Sequence, residues 1–345
     1  MPTKPKHARV PVEFVFNPNW WFRNYGISFD RPFYFDRDAR IANNLLMRRA
    51  LYERFGLGEP DPEPRPVIGS MHVAGGFVVP ALLGVEIRFA DHEAPWQVAS
   101  NLGRDQVLAL KVPDLQSTWP MSELIPQMDA LQQEFGWVAG DFNTDGVLNT
   151  ALQVRGQQLF IDMLEDEQVA EHLFTVVTET QARVAEYVRR RTGTCSVAVN
   201  RSILNVDSAI YVHANCSAQM ISPALFGKQL LRYEVLLARR LPPYGIHHCG
   251  NNTHLFAELY TQTNLRFLDV GWGSDASRVR AALPQTFLNL RLSPMRMLNE
   301  PASVIRGDVE RLLAAAGGPR NAGLCCINMD YGTPDENVRA VIEAV

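Results

Sequence analysis

The sequence is poor in cysteine, has no excess of basic residues and contains no apolar run long enough to cross a membrane. Its 345 residues include 5 cysteines, and its formal net charge is -4. An odd number of cysteines in a long chain without an export signal argues against a disulfide framework. The charge argues against nucleic acid as the main partner, and the missing apolar run argues against a membrane protein. We therefore expect a globular, cytoplasmic protein with neither kind of partner.

From residue 67 onward, short apolar runs alternate with amphipathic segments. The runs lack an exposed polar face, which is typical of parallel strands buried under helices. Amphipathic helices are predicted over residues 39–56 and, as a pair, over residues 157–191. At this length the economical prediction is an α/β protein, in which residues 67–345 form a (β/α)8 TIM barrel and residues 1–66 form an N-terminal extension packed on it.

Residues 10–40 are unusually rich in aromatic side chains. One interpretation is structural, namely an irregular arm that packs over the end of the fold. The other is functional, namely a cap over a pocket for an apolar, aromatic or methylated cationic ligand, because aromatic walls bind all three. Under the functional interpretation, Trp20, Trp21 and Tyr25 contact the substrate.

Polar side chains recur where the predicted strands end. In a barrel of this kind the active site is built at the carboxyl ends of the strands, so these residues are its candidates. A purely structural barrel has no need of so many. The candidates are His72, Asp141, Asn143, Asn200, Arg201, His213, Asn215, Cys216, His247, Cys249, Asp269, Asn289, Arg291, Cys325, Cys326 and Asn328.

The strongest candidate for a metal site is the segment over residues 244–252. Side chains alternate between the two faces of a strand, so His247 and Cys249 point the same way and His248 points the opposite way. One strand thus offers an imidazole and a thiolate. A catalytic zinc uses three protein ligands and keeps one position open, so a third ligand must come from elsewhere.

The third ligand is predicted at the end of the last strand. Cys325 and Cys326 are adjacent, so only one of them faces the interior, and we favour Cys326 because it is nearer the strand end. A fourth group is left open between His213, Cys216, water and substrate.

Several segments of the chain carry a likeness to a known family, namely residues 140–148 with Arg155 and Gly156, 219–226, 246–251, 288–294 and 332–338. Through them the chain resembles the uroporphyrinogen decarboxylase superfamily, in particular its zinc-dependent, corrinoid-linked methyltransferase branch. The likeness extends roughly from residue 137 to residue 345 and implies an eight-stranded barrel. It also implies that His247 and Cys249 are zinc ligands and that a second cysteine ligand lies near Cys325 or Cys326.

The resemblance implies methyl transfer between a heteroatom and a corrinoid, which a partner protein presents because no cobalamin-binding module is visible in the chain. The methyl donor would be a methoxylated aromatic or another methylated small molecule, or a thiol would accept the methyl group. The aromatic arm favours demethylation. The chain is a possible homodimer. A metal-free lyase of the decarboxylase type and a non-catalytic ligand-binding barrel are the alternatives.

The resemblance also distributes roles among the strand-end residues. His213 stands where the methyltransferases tend to carry an acidic residue, so it is assigned to proton handling, with ligand and partner of a ligand as alternatives. Asp141 and Asn143 are assigned to the catalytic set. Substrate binding is assigned to Asn200, Asn215 and Asn289 together with the aromatic residues of the arm.

Overall fold

The computed structural model describes residues 10–69, 76–194 and 210–345. The strands in these ranges are β1 (Val12–Phe16), β2 (Val67–Gly69), β3 (Glu86–Ala90), β4 (Glu93–Val98), β5 (Ala139–Asp141), β6 (Tyr211–Ala214), β7 (Tyr244–His247), β8 (Phe267–Val270), β9 (Phe287–Arg291) and β10 (Ala322–Met329).

Helices follow most of these strands. Those in the first part of the chain are α1 (Pro18–Tyr25), α2 (Arg31–Phe35), α3 (Arg37–Phe55), α4 (Val78–Leu82), α5 (Arg104–Ala109), α6 (Met121–Phe135), α7 (Val147–Arg155), α8 (Gln158–Glu165) and α9 (Glu167–Thr192). The later ones are α10 (Pro223–Gln229), α11 (Leu231–Arg240), α12 (Thr253–Tyr260), α13 (Ala276–Ala282), α14 (Pro294–Asn299), α15 (Ala302–Ala315) and α16 (Asp335–Glu343).

Local sequence accounts for the predicted helices. Helix α3 begins after Asp36, whose carboxylate accepts a hydrogen bond from Ala39 N at 2.8 Å, and it ends at Gly56, where φ is 68°. An acidic N-cap and a left-handed glycine are the usual boundaries of a helix. The predicted helix over residues 39–56 is thereby confirmed, and helices α8 and α9 confirm the predicted pair.

The main sheet has six parallel strands in the order β1-β10-β9-β8-β7-β6. Both faces of these strands are largely buried. On the other side of β6, Asp145 forms a parallel bridge to Ala214, and strands β2 and β5 pair with each other. Together these strands form a curled half-barrel. This confirms the α/β class with parallel strands.

The complete eight-stranded barrel is not confirmed by the described residues. Strands β2 and β5 have only three residues each, and a single bridge links their neighbourhood to the main sheet. Residues 196–200, one of the short apolar runs from which strands are predicted, lie outside the described ranges. Strands β3 and β4 form an antiparallel hairpin, which the alternation of strand and helix did not predict.

The beginning of the described chain differs from the expected irregular arm. Strand β1 pairs with β10 in the main sheet, and helices α1 to α3 follow it. Trp20 stacks on Phe16 with ring centroids 4.0 Å apart, and Phe16 stacks in turn on Phe55. The aromatic residues therefore join β1 to α3 in one hydrophobic cluster. None of the helices in the described ranges has the length and apolar character needed to span a bilayer.

Candidate metal centre

The ends of β6 and β7 bring three metal-binding side chains together. The two strands are neighbours, with Ala214 opposite His247, and Asn215 N donates to His247 O at 2.8 Å. Cys216 follows at once, so it meets the ligand pair of the next strand. One ligand atom each of Cys216, His247 and Cys249 lies within 4.8 Å of the other two. No other group of this kind occurs in the part of the chain that the structure describes.

Cys216 and Cys249 are paired as a disulfide, with their Cα atoms 5.3 Å apart. The sequence argued against a disulfide framework, and this pair is a difference from that expectation. It arises because both cysteines lie just beyond the ends of adjacent strands. Only the reduced pair supplies thiolates, so metal binding at this position requires both cysteines in the thiol form.

Asp269 orients the imidazole of His247. Its Oδ2 atom lies 2.6 Å from His247 Nδ1, and its Oδ1 atom accepts a hydrogen bond from Asn289 Nδ2 at 2.9 Å. A carboxylate accepts, so Nδ1 carries a hydrogen, and Nε2 is the nitrogen that is left for a metal. His247 Nε2 lies 3.2 Å from Cys249 Sγ. The histidine is thus held in the tautomer and orientation of a metal ligand.

Arg291 places a positive charge at the same position. Its Nη1 atom lies 3.4 Å from His247 Nε2 and donates to Cys249 O at 3.4 Å. Strand β9 ends at Arg291, whose side chain is buried. A guanidinium stays charged at all ordinary pH values, so it favours an anion at the neighbouring ligand position.

The structure brings Cys216 to this group, and neither Cys325 nor Cys326 joins it. Strand β10 is separated from β7 by β8 and β9, whereas β6 is the direct neighbour of β7. Cys325 pairs with Arg291 in the ladder and so shares its face, while Cys326 belongs to the main hydrophobic core. Burial, followed by the charge of Cys325, raises the pKa of Cys326 well above its ordinary value.

His213 lies on the face of the sheet opposite to His247. It pairs with Ile246 in the ladder, and its Nε2 atom lies 3.0 Å from Glu234 Oε2. Tyr244 OH donates to the same oxygen at 2.5 Å, and Asn215 Nδ2 donates to Glu234 Oε1 at 3.0 Å. The proton-handling candidate is therefore part of a buried polar network against helix α11.

Glu234 was not among the candidates from the sequence. Burial alone raises the pKa of Glu234, but the charge and hydrogen bond of His213 and the hydrogen bonds from Tyr244 and Asn215 outweigh it, so the pKa lies below its ordinary value. The sequence carried one indication, an acidic residue three positions from both Leu231 and Leu237 on the apolar side of a helix. A buried carboxylate needs partners, so such a residue predicts a polar network.

His248 points away from His247 and Cys249, as the alternation of side chains predicted. Its Nε2 atom lies 2.7 Å from Tyr260 OH, and its ring stacks on Phe256. Burial lowers the pKa of His248 to about 3, so the ring is neutral.

The remaining predicted residues lie on other elements of the fold. Asn143 is buried, and the backbone of Asp141 pairs with Gly69. Trp20 and Trp21 are only 1% and 3% exposed and pack in the core, with Tyr25 partly buried against them. The candidates His72, Asn200 and Arg201 lie outside the described ranges.

The chain is an α/β protein with a curled parallel sheet, and the Cys216, His247 and Cys249 group lies just beyond the ends of its strands, where barrel enzymes build their active sites. The family model named uroporphyrinogen decarboxylase (URO-D) matches residues 73–345, and the chain belongs to this family.

A methyltransferase from Methanosarcina mazei has a similar structure, with a TM-score of 0.68 and 16% sequence identity over 98% of this chain and 94% of the other. At this identity the likeness establishes the shared fold. No curated protein matches the chain.

Proposed function

We propose that the chain is a zinc-dependent methyltransferase that moves a methyl group between a heteroatom substrate and a corrinoid presented by a partner protein. The observation that carries the proposal is the Cys216, His247 and Cys249 group at the ends of adjacent parallel strands. Membership of the URO-D family and the fold shared with a methyltransferase support it.

The donor set fits zinc. Two thiolates and one imidazole are ligands that zinc prefers, whereas magnesium and calcium prefer oxygen. The hydrogen bond between His247 Nδ1 and Asp269 leaves Nε2 available for the metal. Three protein ligands leave one position open in a tetrahedral site, which is the arrangement of a catalytic zinc.

Zinc bound by these three residues would lower the pKa of a substrate thiol or phenol, so that one site serves both directions of methyl transfer. Asp269 keeps His247 in its ligand tautomer, and Asn289 keeps Asp269 in place. Arg291 adds a fixed positive charge that favours the anionic form of the heteroatom. The contacts of His213 are with Glu234, Tyr211 and Tyr244, so we propose for it a role in holding the site.

Metal content tests the proposal directly. Zinc is measured by elemental analysis on protein purified with reductant and without chelators, for the native chain and the Cys216→Ser, Cys325→Ser and Cys326→Ser variants. We expect about one zinc per chain, lost in Cys216→Ser and retained in the other two. Loss in Cys326→Ser alone would move the third ligand to the last strand. A native chain that takes up no zinc on reconstitution would overturn the proposal.

Turnover distinguishes the two kinds of substrate. Zinc-loaded protein is mixed either with methylcobalamin and a thiol or with cob(I)alamin and a methoxylated aromatic, and the cobalt absorption spectrum is followed. Transfer in either mixture should disappear in Cys249→Ala. A Cys249→Ala variant with full activity would rule out this site.

A further inference from the structure

We infer that Glu234 is a positioning residue for the metal ligand Cys216, and that it acts through Asn215, the residue before this cysteine. The inference rests on the proposed function, since it concerns the same metal centre. Under this inference, the buried network of His213, Glu234 and Tyr244 helps to place a ligand on the opposite face of the sheet.

Asn215 is fixed on three sides. Its backbone N–H donates to His247 O at 2.8 Å, and its side-chain Nδ2 donates to Glu234 Oε1 at 3.0 Å. A Cβ added at Gly146 would lie 2.1 Å from Asn215 Oδ1, so only glycine allows the observed approach. The residue that leads into Cys216 therefore has little freedom to move.

The residue after Cys216 is held independently. Ser217 N donates to Asn149 Oδ1 at 2.9 Å. A Cβ at Gly250 would lie 2.6 Å from Gln219 Oε1. The segment after Cys216, which includes Gln219, therefore packs directly against Gly250, the residue after Cys249. The thiol of Cys216 is consequently placed by contacts on both sides of it in the chain.

Glu234 is the part of this arrangement that an amide cannot replace. Its Oε1 accepts from Asn215, while its Oε2 accepts from Tyr244 and lies 3.0 Å from His213 Nε2. Both oxygens are thus acceptors facing donors. In Glu234→Gln one of them becomes an NH2 group that opposes a donor, so either Asn215 or the His213 side loses its partner.

The test is the affinity for zinc and the spectrum of the cobalt-substituted protein. The intensity of thiolate-to-cobalt charge transfer reports how many thiolates bind the metal. We expect Glu234→Gln to lower zinc affinity about 10- to 100-fold, as is usual when a residue that supports a metal ligand is changed, and to weaken the charge-transfer band. Asn215→Ala should have the same effects, although it keeps the His213–Glu234 pair. It is the variant to test if Glu234→Gln does not fold.

Asp308→Asn is the matched control. Asp308 is also buried and ion-paired, with Arg296 and Arg311, but it lies on helix α15. It should leave zinc affinity and the cobalt spectrum unchanged. Wild-type affinity and spectrum in both Glu234→Gln and Asn215→Ala would overturn the inference.

A measurement on the metal-free protein separates this inference from the proposed function. Diamide oxidises the reduced Cys216 and Cys249 to a disulfide, releasing two protons and two electrons that reduce the diamide to the hydrazine. The rate depends on how the two thiols are placed. We expect slower closure in Asn215→Ala and Glu234→Gln than in Asp308→Asn. If the native chain binds no zinc, the proposed function fails while this comparison still decides the role of Glu234, and equal rates in all variants would refute it.

Discussion

Two buried histidine–carboxylate pairs lie on opposite faces of the same strands and have different surroundings. His247 and Asp269, 2.6 Å apart, belong to the interior face. His213 and Glu234, 3.0 Å apart, belong to the face covered by helix α11. The ring nitrogen of His247 that does not contact its carboxylate, Nε2, lies 3.2 Å from Cys249 Sγ. The corresponding nitrogen of His213, Nδ1, lies 3.4 Å from Tyr211 OH.

A buried histidine–carboxylate pair does not by itself make the histidine a metal ligand. The ring nitrogen that does not contact the carboxylate must also lie close to other side chains that bind a metal, such as cysteine thiolates. Alternation along the strands separates the two outcomes, since residues one position apart face opposite sides. The interior pair therefore belongs to the candidate metal site, and the helix-side pair belongs to the framework around it.

The largest effect that would test this contrast is on stability. Replacing His213 with leucine removes the imidazole that lies 3.0 Å from the buried Glu234 carboxylate, and we expect the free energy of unfolding to fall by about 3 kcal/mol. Urea unfolding at neutral pH measures it. The double variant His213→Leu/Glu234→Leu should lose less than the two single variants added together. Simple additivity would show that the two residues do not act as a pair.

The next largest effect is on the affinity for zinc. Asp269→Asn keeps the shape of the side chain but weakens the hold on His247 Nδ1, and we expect zinc affinity to fall about 10- to 100-fold. Competition with a chromogenic chelator measures it. Asp162→Asn, which changes another buried acid paired with Arg155, should leave zinc affinity unaltered. Equal affinities for zinc in all three proteins would remove Asp269 from the metal centre.

Much of this arrangement could be predicted from the sequence, because it depends on residues that are near one another in the chain. The two-residue period of a strand predicted the shared face of His247 and Cys249, and the strand-end rule included Asp269 and Asn289. The period of the apolar residues predicted the helix over residues 39–56 and the pair over residues 157–191. The family resemblance was confirmed over most of the chain.

What escaped prediction depended on neighbours in space. Strand β1 lies beside the last strand of the chain, a pairing that no local pattern encodes. The place of Cys216 beside His247 and Cys249 depended on strand order, because β6 is the direct neighbour of β7, whereas β8 and β9 separate β10 from it. The ligand role of Cys326 stays a prediction. Glu234 required knowing which helix covers His213.

The smallest effect concerns the acid side of the stability curve. Glu234 has a lowered pKa in the folded chain, so the stability it contributes is present above its unfolded pKa of about 4.3 and is lost as the pH falls through the folded pKa. Tyr244→Phe removes a hydrogen bond to the charged carboxylate and raises that folded pKa. We expect Tyr244→Phe to lower the free energy of unfolding by about 1.5 kcal/mol at neutral pH, and we expect this loss to become smaller in acid.

Tyr233→Phe is the control, because Tyr233 is also buried but its hydroxyl donates to Glu171 O. This variant should not change the shape of the curve of unfolding free energy against pH. The measurement is the free energy of unfolding of each protein between about pH 3 and pH 7. Parallel curves for Tyr244→Phe and the native chain would mean that Tyr244 does not stabilise the Glu234 charge.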